Sequence, residues 1–108
     1  MTPAIQSANK AAQVKVASFN ATASVMEQLA RGEIVGADVG NPNVWWGWAI
    51  ADQALRLMTG QQAVKDENIP TRLFTRDNIK SIDLKATEDN WYGPADFRGE
   101  YQKLWKLG

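Results

Sequence analysis

Cysteine and histidine are both missing from these 108 residues. Their absence excludes disulfides, thiolate metal sites, cysteine nucleophiles and histidine-based triads within the chain. It leaves the redox compartment open, because a cysteine-free chain suits either side of a membrane. An excess of one charge is lacking too: twelve lysines and arginines balance twelve aspartates and glutamates. That balance gives no electrostatic case for nucleic acid or an anionic membrane surface as a partner. No apolar run approaches the ~20 residues that span a bilayer, so direct membrane insertion is not expected. The opening "MTPAIQSANK" has neither the basic start nor the apolar stretch of a signal peptide.

What is present suits a single globular domain, with 44% hydrophobic and 22% charged residues. Thr2-Pro3 reads as a helix start, followed by an alanine-rich helix over 4–12. "VKVASF", 14–19, alternates like a strand, and after Asn20 "ATASVMEQLARG" reads as a helix stopped by Gly32. "EIVGADVG", 33–40, is a second strand whose glycines permit close approach of backbone or ligand. A third helix runs over about 42–59, a polar connection over 61–70, and a third strand over 71–75. The turn-like "RDN" follows, then a polar stretch, a "WYGP" loop and an amphipathic helix over 94–107. This α-β-α-β-α-β order predicts an α/β fold with a parallel β-sheet flanked by helices.

The third helix opens with three tryptophans in four residues, Trp45, Trp46 and Trp48. At ~100° per residue, Val44, Trp48, Ala51, Leu55 and Met58 share one side, widened by Gly47, Ile50, Ala54 and Leu57. That broad apolar face is expected to lie on the sheet, with Trp48 as its anchor and Trp46 at its margin. Asp52, Gln53 and Arg56 take the other side, where Asp52 and Arg56 read as a solvated i,i+4 pair. Trp45 falls among them and has no core explanation. It flanks a ligand, covers a neighbouring loop or strand end, or packs at an interface.

The run from Val14 to Gly60 resembles the C-terminal lobe of type I periplasmic sugar-binding proteins of ABC transporters. It is most similar to the ribose-binding branch and, more distantly, to the ligand domains of LacI-type repressors. The resemblance is carried by Phe19-Asn20-Ala21-Thr22 between strand and helix, by "GEI" before the next strand, by Pro42 and Gly47 at a helix start, and by "ADQALRLMTG" at its close. "IPTRLFTRDNI" is similar to the family's last core strand and exit turn. The resemblance implies a partial C-terminal lobe over 1–80 and a C-terminal extension with a terminal helix over 81–108. It also implies that the N-terminal lobe and the first elements of this lobe lie outside the chain.

The implied function is capture of a small sugar for uptake through an ABC permease in the periplasm, without catalysis or cofactor. The family's ligand contacts come from loops at the carboxyl ends of strands. Carried over, they fall on Asn20 and on Asn41, with Asp38 and Asn43 as nearby alternatives and Trp45 as a further candidate. Without the resemblance, Asn20 is an ordinary helix cap and Asn41-Pro42 an ordinary turn. Apolar surface meant for elements outside the chain would be exposed, which predicts a homo-oligomer. The alternative functions are the effector domain of a cytoplasmic LacI-type regulator or sensor, and a fragment with no independent function. An enzyme is not expected, since no acid/base pair, nucleophile–base pair or phosphate loop is visible.

Overall fold

The computed structural model describes residues 2–106. Thr2–Ser7 forms α1, Val16–Phe19 β1, Ala23–Arg31 α2, Val35–Gly40 β2, Asn43–Met58 α3, Arg72–Thr75 β3 and Phe97–Leu104 α4. Two 3-10 turns, Ile79–Ser81 and Glu88–Tyr92, fill the stretch between β3 and α4. The expected end of the last helix at 107 lies outside the described residues. None of the described helices is long and apolar enough to cross a membrane.

The fold is mixed α/β, but its sheet is not wholly parallel. Strand order is β1-β2-β3, with β1 parallel to β2 and β3 antiparallel to β2. The path of the chain after α3 explains the reversal. A parallel β3 would need a connection that starts it beside the amino end of β2. Instead, residues 61–71 double back along α3, held where the Gln53 amide donates to the Val64 carbonyl at 3.0 Å and accepts from its N–H at 2.9 Å. The chain thus re-enters at the carboxyl end of β2, where Arg72 pairs with Gly40.

One face of the sheet is covered. Met26 and Leu29 of α2 press onto Val35 and Phe74, and Ile79 and Trp91 from the 3-10 turns close the cluster. Thr22 caps α2 in an extended conformation without a side-chain bond, and Gly32, at φ 73°, closes it by donating to the carbonyls of Gln28 and Leu29. That left-handed stop is the one expected of a glycine just past a helix.

The opposite sheet face is open, and here the expectation for α3 fails. Its apolar side does not lie on the sheet: Ile50, Leu57 and Met58 are 64–82% exposed. The helix turns its other side inward, against α4. Trp48 stacks on Trp105, with centroids 5.3 Å apart and planes 7° apart, rather than on a strand. Trp46 is exposed instead of filling a margin. The reason is a second cluster, in which Ala49, Trp45 and Trp48 meet Phe97, Tyr101 and Trp105 of the terminal segment. Four stacked or tilted aromatic contacts there outweigh what an aliphatic stripe gains without a surface to cover it.

Asp52 is likewise not a solvated helix residue; it is buried, at 2% exposure. It accepts from Arg56 Nε at 2.5 Å and from the Trp105 indole N–H at 2.8 Å. Burial alone would raise its pKa, but those two hydrogen bonds and the Arg56 charge more than offset it and hold the carboxyl below its ordinary value. A depressed carboxylate stabilises the fold above its unfolded pKa of about 4 and loses that contribution as pH falls through the folded value. The near-ultraviolet circular dichroism of the Trp48–Trp105 stack should therefore fade below about pH 4. In Asp52→Asn that acid step should be absent. An unchanged acid midpoint in the variant would refute the assignment.

Candidate ligand site at the strand ends

Because β1 and β2 run parallel, their carboxyl ends lie side by side, with Phe19 opposite Val39. The next residue, Asn20, still belongs to the ladder through its backbone, donating its N–H to the Val39 carbonyl at 2.9 Å. The chain then bends sharply. Asn20 has φ 89° and Ala21 φ 40°, both in left-handed space that side-chain-bearing residues seldom occupy. The bend turns the strand into α2 and leaves the Asn20 side chain exposed at the strand end. Thr22, not Asn20, is the helix cap, so capping does not account for this asparagine.

Asp38 holds the bend from within. It is fully buried in β2, opposite Ser18. One carboxylate oxygen accepts from the Ala21 N–H at 2.9 Å and the other from the Ser18 hydroxyl at 2.6 Å. Both oxygens are engaged by protein groups, and the side chain faces the interior. It acts on the site by fixing the segment that carries Asn20.

At the end of β2, Gly40 is closely surrounded. A Cβ there would overlap the Phe74 ring, lie 2.6 Å from the Tyr92 hydroxyl oxygen and 2.9 Å from the Ala21 Cβ. Only glycine fits, and the space it vacates brings the Tyr92 hydroxyl to the junction of the two strand ends. Asn41 follows, half-buried, then the buried Pro42, and Asn43 opens α3 with an exposed side chain. Arg72, paired with Gly40 across the sheet, donates to the Trp91 carbonyl at 2.8 Å and lies 5.4 Å over the Phe74 ring.

The strand ends therefore bring together Asn20 and Asn41 from the expected residues, and Tyr92 and Arg72 from outside them. Burial, and then the negative charges of Glu88 and Asp38, push Tyr92 up to about 12. Its hydroxyl thus stays neutral, able to donate and to accept. "WYGP" gives no sign of this role, because only the fold of the 80–92 segment carries the tyrosine back to Gly40. Arg72 was hidden by the direction of β3.

Trp45 belongs elsewhere. It is half-buried and its ring stacks on Phe97, with centroids 4.9 Å apart and planes 11° apart. It lines a groove of about 730 Å³ with Glu67, Asp96 and Tyr101, on the arm formed by α3 and α4. Amides and a phenol at the strand ends offer paired donors and acceptors of the kind that match hydroxyl groups. Among the described residues no group of three or more acidic side chains is placed to hold a metal ion. No protein-family model matches this chain, and no curated protein matches it.

Proposed function

We propose that this chain is the C-terminal part of a sugar-binding protein serving ABC-transporter uptake, and that Asn20 and Asn41 contact sugar hydroxyls. The observation that supports this reading most is the Asn20–Ala21 bend. Two consecutive residues sit in left-handed backbone, at the carboxyl end of a parallel strand, braced by a buried aspartate. Strain held in this way costs on the order of 1 kcal/mol or more per residue and clusters where a site needs a fixed geometry. Carboxyl ends of neighbouring parallel strands are also where open α/β sheets bind small molecules. The side chain so displayed is an amide, which gives a hydroxyl one donor and one acceptor. Tyr92 supplies a third polar group beside Gly40.

On this reading the sugar is held between two lobes, presented to a permease, and released without chemistry. The strand ends of this chain are one wall of that cleft, and the periplasm is where the protein works.

Amide chemical shifts followed during titration with pentoses, hexoses and deoxyhexoses test the proposal directly, and they register weak binding by a single wall. Saturable shifts are expected at residues 20–21 and 40–41 with at least one sugar. Asn20→Gly should abolish them while leaving stability within about 1 kcal/mol of the parent, since glycine accepts φ 89° and only the side chain is lost. Shifts with an amino acid but with no sugar would overturn the substrate class.

A further inference from the structure

The sheet has one open face, and its two rows are read from the register. Phe19, Val39 and Leu73 align across the three strands, 73%, 43% and 55% exposed, above a row of Ala17, Ala37 and Thr75. No charge interrupts either row. The same chain carries a second unpartnered surface on α3, where Val44, Ile50, Leu55, Leu57 and Met58 are 41–82% exposed. Small residues, Ala51 among them, lie between these on the helical wheel, so another backbone can approach closely.

These surfaces do not meet within one molecule. The α3–α4 arm points away from the sheet, and the chain measures 57 × 24 × 17 Å with a radius of gyration of 17.8 Å. A compact chain of this length has ~13 Å. We infer that two copies of this chain exchange their arms, so that α3 of each covers the open sheet face of the other.

Dimensions support the match. Sixteen residues of helix run ~24 Å, and a helix with its side chains is ~10 Å wide. Three strands ~4.8 Å apart present a face of about that width, and their length is spanned by the helix. The eight large exposed side chains, at roughly 100 Å² each, supply the ~800 Å² per partner of a standard interface. The contact occurs twice about a two-fold axis and leaves neither surface over, as a closed dimer requires. This inference concerns the 108-residue chain by itself and rests on its exposed faces, not on sugar binding.

Sedimentation velocity on the chain should give twice its 12.0 kDa mass at tens of micromolar. Leu57→Glu on the helix and Leu73→Glu on the sheet should each raise the dimer dissociation constant by more than about 100-fold, because each buries two unpaired charges. Both positions are exposed in the single chain, so far-ultraviolet circular dichroism should stay unchanged. Mixing the two variants should restore a dimer, because one of its two contacts then joins a parental helix face to a parental sheet face. A monomeric parent chain would overturn the inference, leaving these faces to another segment or partner. A dimer sensitive to Leu57→Glu but indifferent to Leu73→Glu would overturn it in favour of α3 pairing with α3.

Discussion

Phe74→Ala should destabilise the chain by about 3–5 kcal/mol, read from urea denaturation at constant slope. Phe74, on the edge strand β3, is fully buried on the covered sheet face. Its ring meets Trp91 and Tyr92 edge-on, with centroids at 6.5 and 5.8 Å, and it lies under the Arg72 guanidinium. Removing it takes away the buried ring, opens a cavity beside Gly40 and strips the edge-to-face partners from two aromatics. A domain of this size holds only about 5–15 kcal/mol in total, so the variant should sit near its unfolding threshold. Phe74→Leu, which keeps most of the volume, should cost much less. A loss below about 1 kcal/mol for the alanine variant would mean that the core collapses onto the vacated space, and Phe74 would not be its organising side chain.

How far the sequence foretold this arrangement depends on the distance over which each signal acts. Local signals worked: Gly32 ends α2 and Gly40 ends β2. The strand-turn-helix sequence around Asn20 placed that residue at a strand end, where it lies. Strand direction was not legible, because it is set by the clasp between Gln53 and Val64 across eleven positions. The apolar stripe on α3 was read correctly as a stripe and wrongly as the buried side. Periodicity shows which residues share a face but not which of two faces finds a partner. Here the aromatics of α4 captured the side bearing Asp52, and two hydrogen bonds made that aspartate an interior residue. Tyr92 reached the candidate site by the longest route, returning more than fifty positions to stand beside Gly40. No short window of sequence contains that contact.

Asp38→Ala should cost about 2–4 kcal/mol, a sum of two groups left without an acceptor in a buried setting. The Ala21 N–H and the Ser18 hydroxyl both lose their bonds. Asp38→Asn should be milder, since its amide oxygen can still accept from the Ala21 N–H. The alanine variant does more than destabilise: it frees a bend whose residues, at φ 89° and 40°, drift toward ordinary backbone once unbraced. Backbone carbon shifts at positions 20 and 21 should move out of the left-handed range, and hydrogen exchange at the Ala21 amide should speed up. If sugar binds as proposed, its affinity should fall with the bend, although both Asp38 oxygens are engaged by Ser18 and Ala21. Adding Asn20→Gly to Asp38→Ala separates bracing from a general loss of packing. Glycine enters φ 89° without steric penalty, so the double variant should lose little stability beyond that of Asp38→Ala. It should not recover the affinity, because the amide is gone. A bend that keeps its shifts in Asp38→Ala alone would show that Asp38 contributes stability without setting the site.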